Sequence, residues 1–324
     1  MSKLLTQSKD PAHSAQVELN RRKAIKSAKQ ILGNWQLYAM VLPAVLSILI
    51  FNYVPMYGIQ IAFREFKFRG GITGSEWVGL KQFTDLFESS WFPIALKNTL
   101  TISFLNVAIN FPIPIIFALL ANELRNEKVK RTLQTVSYAP HFISTVVICG
   151  MVVMFVQPET GIINLLIEKF GGKSVGFLSD PDLYKWVHIL SGTWAGTGWS
   201  AVIYFAALSA VDKSLLEAAE IDGASRFQRI LHINLPTILP TVVIQLILAV
   251  GRVMSLGYEK VLLLQNDLNV FGSETLSVYV YKVGMLDRSY SFSTAASIFN
   301  SVCNCILLIS VNKLSKWLTK ESMW

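Results

Sequence analysis

One polar stretch of the chain combines a carboxylate, two alanines, a glycine and a proline at fixed spacing. The pattern is E-A-A-x3-G-x9-I-x-L-P, formed by Glu217, Ala218, Ala219, Gly223, Ile233, Leu235 and Pro236. Ser214 and Glu217 have the spacing of a capping box, and Gly223 is placed to stop the helix they begin. Ser225 and Gln228 repeat the box ahead of apolar residues at helical spacing. We therefore predict a short helix, a glycine bend and a second helix that runs up to the proline.

This stretch has a structural interpretation and a functional one. Capping boxes and glycine stops are common at helix ends, so Glu217 can be only a helix cap. A carboxylate on a projecting helix can also bind a partner protein, and Glu217 can cap and dock at once. The sequence around the stretch decides between these interpretations, because two strongly apolar segments flank it.

Three other groups of residues could do chemistry, and each lacks part of the required set. Residues 171–174, Gly-Gly-Lys-Ser, end like a phosphate-binding loop, but Ile167 stands where that loop needs its first glycine. Asp180, Asp182 and His188 are acid and base candidates without a recognised arrangement. The two cysteines at 303 and 305 have no companion ligands for a metal. The sequence thus predicts neither a nucleotide site nor a metal site in this chain.

The elements that must hold these residues are predicted to be membrane helices. Hydrophobic residues make up 52% of the chain and charged residues 15%, against roughly 25% charged residues in a soluble domain. Six segments are long enough to cross a hydrocarbon layer that needs about 20 apolar residues. They are residues 37–63, 96–121, 133–156, 187–211, 237–258 and 293–312. The predicted fold class is all-α, a polytopic membrane protein with six transmembrane helices.

The positive charges predict which side of the membrane each loop faces. With a cytoplasmic N-terminus, the cytoplasmic segments hold seventeen Lys and Arg residues and the outer loops eleven, counted with Lys97 at the outer end of the second span, as the positive-inside rule requires. Both termini and the Glu217 stretch then face the cytoplasm. The net charge of +8 suits anionic lipid, and nothing in it calls for nucleic acid. Residues 19–32 alternate basic and apolar residues, which indicates an amphipathic helix at the inner interface.

The E-A-A stretch resembles, at all of its fixed positions, the signature loop of the permease subunits of ABC importers. Residues 274–302 and the Pro55-Met56-Tyr57-Gly58 run are similar to the sugar-importing permeases, in particular to those for pectic or alginate oligosaccharides. The resemblance implies the type I importer fold, with residues 1–35 as a cytoplasmic segment, 36–314 as the permease domain and 315–324 as a cytoplasmic tail. It implies a location in the bacterial plasma (inner) membrane.

The same resemblance implies a set of partners. A second, homologous permease would complete the translocation path, and an extracytoplasmic solute-binding protein would deliver an oligosaccharide. An ABC ATPase dimer would bind ATP and Mg and perform the hydrolysis, so this chain would need no cofactor and would not be an enzyme. The loop 212–236 would dock on that ATPase through Glu217, Ala218, Ala219, Asp222 and Gly223.

A polar stripe in the fifth predicted span suggests a sugar path. Gln245, Arg252 and Glu259 are spaced by seven, which keeps them on one face of a helix. Ser255 lies on the same segment, and Trp199 on the preceding span is a natural platform for a sugar ring. Arg252 could then bind a sugar carboxylate. The alternative is that Arg252 lies near the outer interface and serves as an anchor.

Two further classes of function stay open at this point. An ion-driven secondary transporter of small polar solutes would need an intramembrane carboxylate, and none lies in the six predicted spans. A membrane enzyme of polysaccharide assembly would need an acid and base cluster at an interface. The permease interpretation is preferred because the motif and the topology agree independently.

Overall fold

The computed structural model describes residues 33–319, and the chain divides into the units Met1–Ile59 and Gln60–Trp324. In the first unit, helix α1 spans Trp35–Ile48 and continues as a π-helical turn, Leu49–Tyr53. A 3-10 segment, Val54–Phe63, follows and includes the boundary between the units. The whole apolar segment Trp35–Phe63 has 29 residues, enough to cross a membrane. The amphipathic helix predicted at residues 19–32 lies outside the described residues.

The second unit begins with a small hairpin and is otherwise helical. Strands β1, Arg64–Lys67, and β2, Gly71–Trp77, pair antiparallel. The first helices are α2 Lys81–Glu88, α3 Trp91–Asn110, α4 Pro112–Asn122, α5 Glu127–Tyr138, α6 Thr145–Val156, α7 Ile162–Lys169 and α8 Pro181–Ser209. The later helices are α9 Lys213–Ile221, α10 Arg226–Arg229, α11 Leu235–Val250, α12 Tyr258–Leu264, α13 Val270–Ser273, α14 Leu276–Tyr281 and α15 Tyr290–Thr319. The all-α prediction is confirmed, with the hairpin as a minor addition.

Four segments of the described residues are long and apolar enough to cross a membrane by themselves. They are Trp35–Phe63, Trp91–Asn122, Arg226–Val250 and Tyr290–Lys313. Two bent helix pairs bring the total to six if each pair crosses once. The six predicted spans therefore have helical counterparts, but two of them differ in shape from the prediction.

The third predicted span, residues 133–156, is wrong as a single straight helix. Glu127–Phe142 and Thr145–Val156 meet at an angle of 101°. The first segment tightens into a 3-10 turn at Ala139–Phe142, which contains Pro140. Ser144 then accepts a hydrogen bond from the Val147 backbone N–H and begins α6. Pro140 and the N-cap Ser144 together break the helix here, and the apolar composition of the segment gives no sign of this break.

The fifth predicted span, residues 237–258, is also wrong at its end, because α11 stops at Val250. Asn304 of α15 fixes the turn that follows: its Oδ1 accepts from the Met254 backbone N–H, and its Nδ2 donates to Ser255 Oγ. Gln245, Arg252 and Glu259 therefore do not share one helix. A side chain from a distant helix thus accepts the hydrogen bond of one backbone N–H that a further helical turn would have satisfied.

One close approach between helices fixes the position of α8. A Cβ atom on Gly198 would overlap the backbone carbonyl of Ser137 in α5. Only glycine lets the two backbones come this near, and the neighbouring atom cannot give way because it belongs to the main chain. Gly196, two residues earlier on α8, has open space where its Cβ would be.

We expect Gly198→Ala to destabilise the folded chain by about 1–3 kcal/mol through overpacking. Gly196→Ala is the matched control and should be neutral or slightly stabilising, because alanine is the better helix former. The measurement is the thermal unfolding midpoint of the detergent-purified chain. Equal midpoints for the two variants would show that α5 and α8 are not in this close contact.

Candidate functional site

The polar segment at residues 212–236, termed here the coupling loop, begins with a cap that differs from the prediction. The Asp212 side chain accepts a hydrogen bond from the Ser214 backbone N–H at 2.9 Å and begins α9. Hydrogen bonds from Ser214 lower the pKa of the exposed Asp212 carboxyl below its usual value. The proposed capping box of Ser214 and Glu217 is thus wrong, because Asp212 already occupies the N-cap position. Glu217 is not a cap.

The bend and the second helix of the coupling loop follow the prediction more closely. Gly223 has a φ of +80°, and the Ala224 backbone N–H donates to the Ala219 carbonyl at 2.9 Å, which closes α9. Ser225 and Gln228 form the predicted capping box, with both reciprocal hydrogen bonds present.

The second helix does not end at Pro236, as the sequence suggested. A π-helical turn at Ile230–Asn234 intervenes, and the Leu235 backbone N–H donates to the Ile230 carbonyl. Pro236 has no backbone N–H to donate and normally interrupts a helix. Here the wider π-helical turn comes just before it, and the helix continues through Pro236 into α11. Residues 226–250 form one continuous helical segment.

The outer face of the coupling loop is exposed and partly apolar. Glu217, Ala218 and Asp222 are exposed, and Glu217 makes no hydrogen bond or ion pair within the described part of the chain. Large apolar side chains are exposed beside this carboxylate, most of all Ile221, at 88%. Leu215 and Phe227 are exposed as well. Apolar surface around a free carboxylate is typical of a protein-docking surface.

An ionic cluster holds the inner face of the loop to the helix bundle. Arg229 lies between two carboxylates, 3.0 Å from Glu220 of α9 and 3.4 Å from Glu123 at the end of α4. Asn234 Nδ2 also donates to Glu123 at 3.0 Å. The Arg229 and Glu123 side chains are only 12% and 14% exposed, so solvent screens this pair little. The cluster thus links α9, α10 and α4.

A hydrophobic core extends from this cluster into the bundle. Ile230 of the loop belongs to the same buried cluster as Ala118 of α4, Ile238 of α11 and two α8 residues, Tyr204 and Leu208. Tyr204 also lines a cavity farther along α8. The loop and the cavity are therefore connected by contiguous packed side chains.

The cavity has a volume of about 990 Å³, at the upper end of ordinary ligand sites. Four of the five path residues predicted from the sequence line it, namely Trp199, Gln245, Arg252 and Ser255. Glu259 does not, and it is exposed outside the cavity. Gln245 comes from α11, whereas Arg252 and Ser255 come from the turn after it. The predicted residues meet in space through a bent chain rather than along one helix face.

Helices α3 and α12 supply cavity residues that the sequence-based prediction missed. Ser103, Asn106 and Asn110 recur at helical spacing on one face of α3, and all three line the cavity. This polar face was a readable signal in an apolar helix. Lys260 also lines the cavity, and its ammonium donates to the His188 backbone carbonyl at 2.6 Å.

Other side chains of the protein already cover one face of Trp199, the predicted platform for a sugar ring. The His141 ring stacks on Trp199 with centroids 4.6 Å apart and planes 3° from parallel. Phe142 contacts Trp199 edge-on. One face of the indole is thus covered by the protein, and a sugar ring could stack only on the other face.

The three acid and base candidates do not form a site. Asp180 caps α8 by accepting from the Asp182 backbone N–H, and Asp182 pairs with Lys185 at 3.1 Å. His188 is buried in the cavity wall. Within residues 33–319 no group of three His, Cys, Asp or Glu residues could hold a metal ion.

The fold, the coupling loop and the cavity together define a membrane transport permease. The chain belongs to the family of binding-protein-dependent transport system inner membrane components, whose model matches residues 110–320. The matched region includes the coupling loop and most of the cavity wall.

Similar proteins support this assignment over nearly the whole chain. The polygalacturonan/rhamnogalacturonan transport system permease protein YteP of Bacillus subtilis (strain 168) is 43% identical over 288 residues, which cover 89% of this chain and 90% of that one. Protein LplB of the same strain is 40% identical over 288 residues, or 89% and 91% of the two chains. A solved bacterial ABC transporter, involved in the import of the acidic polysaccharide alginate, contains a chain that matches with a TM-score of 0.83 and 36% identity. The match covers 91% of this chain and 99% of that one.

We predict that Glu123→Gln weakens the attachment of the coupling loop. The change removes the charge that Arg229 and Asn234 both contact in a largely buried position, which should cost about 1–3 kcal/mol of stability. Asp182→Asn is the matched control, because its ion pair with Lys185 is exposed and worth about 0–1 kcal/mol. Thermal unfolding midpoints and limited proteolysis within residues 212–236 measure the effect. If both variants behave alike, the cluster does not hold the loop.

Proposed function

We propose that this chain is the transmembrane permease subunit of an ATP-driven, binding-protein-dependent oligosaccharide importer. The observation that carries the proposal is the coupling loop, with its free Glu217 on an exposed, partly apolar face and its inner face joined to the cavity wall. Relatives named for polygalacturonan or alginate transport support an oligosaccharide as cargo. A cavity lined by amide, hydroxyl and aromatic side chains suits the hydroxyl groups and the apolar faces of sugar rings.

The proposal includes partners that complete the machine. A second, homologous permease would pack against this chain and form the other half of the translocation path. An ABC ATPase dimer would dock on the coupling loop and hydrolyse ATP with Mg. This chain would supply no nucleotide site. An extracytoplasmic solute-binding protein would deliver the cargo, and a solved alginate transporter in complex with a pentasaccharide-bound periplasmic protein supports that role.

The geometry supports a definite order of events. Closure of the ATPase dimer would displace α9 through contacts to Glu217 and the neighbouring apolar side chains. Arg229 would carry the displacement to α4, and the shared core would carry it to α8. Because α8 forms one wall of the cavity, the motion would change which side of the membrane the cavity opens to.

An ion-driven secondary transporter is the runner-up, and the cavity argues against it. Such a transporter uses an ionisable carboxylate within the membrane to bind the coupling ion. The residues that line the cavity include no Asp or Glu. A membrane enzyme of polysaccharide assembly has less support still. Of its candidate residues, Asp180 caps α8, Asp182 pairs with Lys185 and His188 is buried in the cavity wall.

We expect Gly223→Pro and Glu217→Lys to abolish uptake and cargo-stimulated ATP hydrolysis in the assembled complex. Proline fixes φ near −65°, whereas Gly223 has a φ of +80°, and lysine reverses the docking charge. Gly223→Asn is the matched control, since asparagine tolerates the left-handed region and a Cβ there meets no other atom. Uptake by a well-assembled Gly223→Pro complex would remove the support for docking through this loop.

We further propose that both termini face the cytoplasm, and thiol labelling tests this. In a background without the three native cysteines, Lys173→Cys should react with an impermeant reagent from outside. Lys128→Cys and Lys213→Cys should react only after permeabilisation. All three positions are exposed in this chain, and labelling it without the proposed ATPase partner makes access report the side of the membrane. External labelling at Lys213→Cys would place the coupling loop away from ATP and contradict the proposed function.

A further inference from the structure

Two positive charges face the cavity without a balancing carboxylate. Among the described residues, Lys260 and Arg252 are the charged side chains that line it, and no Asp or Glu does. Within residues 33–319 neither cation forms an ion pair. Charged groups of membrane helices normally pair with one another or mark the route of a substrate. An unpaired positive cavity wall therefore indicates an anionic ligand.

Lys260 is held in place more firmly than Arg252. Its ammonium donates one hydrogen bond to the His188 carbonyl of α8 and lies over Gly192, where a Cβ atom would be 3.1 Å from Nζ. The amide of Asn110 is beside the same glycine, with Nδ2 3.5 Å from that Cβ position. An ammonium has three donors, so two remain without a partner in the described part of the chain.

Nearby polar atoms are also without partners. His188 Nδ1 and Ser103 Oγ make no hydrogen bond among the described residues, although their side chains are only 6% and 2% exposed. Both residues line the cavity. A buried polar atom without a partner costs free energy, and a serine hydroxyl can reorient about one side-chain torsion to meet a ligand. Ser103 lies about 10 Å of helical rise from Asn110, so polar groups are available along an extended cargo.

We propose that Lys260 is the main contact of a subsite for carboxylated sugars in this cavity, with Arg252 as a second cation. This inference rests on the proposed function and adds the chemical class of the cargo. A uronic acid unit would place its carboxylate on the Lys260 ammonium and its ring hydroxyls near the amide and imidazole groups. Arg252 could bind the carboxylate of a second unit in a bidentate manner.

The first test is protection of a cavity thiol in the complete transporter, reconstituted in phosphatidylcholine nanodiscs. Thr145 lines the cavity and is not one of the residues assigned to the subsite, so Thr145→Cys supplies the thiol, and Cys149, Cys303 and Cys305 are replaced. Trigalacturonate should slow maleimide labelling of this thiol. Its trimethyl ester, which has the same rings without the charges, should need roughly tenfold higher concentration, because a charge-assisted hydrogen bond is lost.

Variants at Lys260 separate charge from structure. In Lys260→Gln, trigalacturonate and its ester should protect the thiol at similar concentrations. In Lys260→Arg, the acid should again protect at a lower concentration than the ester. Lys185→Gln, on the same helix as His188 but outside the cavity, should keep the wild-type preference. The amount of transporter recovered with its partner subunits checks that each variant assembles.

Three outcomes would overturn the inference. Acid and ester could protect equally in the wild-type protein, which would leave the importer function intact but remove the carboxylate subsite. Lys260→Gln could keep the wild-type preference. Phosphatidylglycerol could slow labelling without any sugar in a Lys260-dependent manner, which would assign the site to a lipid headgroup. Uptake of trigalacturonate and its ester by sealed proteoliposomes that contain the same complex tests the proposed function separately. If neither sugar is taken up, the proposed function is contradicted.

Discussion

A peptide group within the hydrocarbon layer has no water to bond, so every break in a membrane helix must be satisfied by the protein itself. In this chain asparagine side chains meet that requirement. Asn304 bonds the turn after α11, Asn98 donates to the carbonyls of Phe271 and Glu274, and Asn164 bonds the backbone at Val156, Gln157 and Val175. An asparagine amide offers both donors and an acceptor, which lets one side chain replace several lost helical bonds. The positions of the breaks thus depend on these few residues.

The cavity is a consequence of one such break. Because α11 stops at Val250, the chain turns and brings Arg252, Ser255 and Lys260 against α3 and α8. A straight helix through this region would keep Arg252 and Ser255 about 60° apart on one face but would carry Lys260 about 12 Å farther along the helix axis than Arg252. Irregular backbone at this depth is tolerated where it is buried in protein or lines a cavity. The structure therefore gains a cavity wall where it loses helical hydrogen bonds.

The sequence predicted what local chemistry controls and failed where distant contacts decide. The bend and the second helix start of the coupling loop were predictable because capping boxes and left-handed glycines act over three or four residues, as at Ser225 and Gly223. Its first helix start was misplaced locally, because Asp212 and not Ser214 is the N-cap. The end of α11 was not, since the deciding side chain, Asn304, lies about fifty residues later in the chain. The polar face of α3 was visible in the sequence as Ser103, Asn106 and Asn110 at helical spacing. The prediction for this segment used only the length of its apolar run and therefore missed that face. Membership of the family was predictable because the motif occupies contiguous sequence.

The coupling loop can transmit force only if its attachment to the bundle is stiffer than its contact with a partner. Two unlike interactions provide that attachment. The Arg229 cluster is directional, because hydrogen-bonded charges at 12% and 14% exposure fix the angle between α9 and α4. The core around Ile230 and Tyr204 is non-directional but close-packed, so it resists compression and passes displacement on to α8. A loop held by packing alone could slide along the bundle, and one held by ion pairs alone could pivot. With both, a push on α9 has to move the cavity wall.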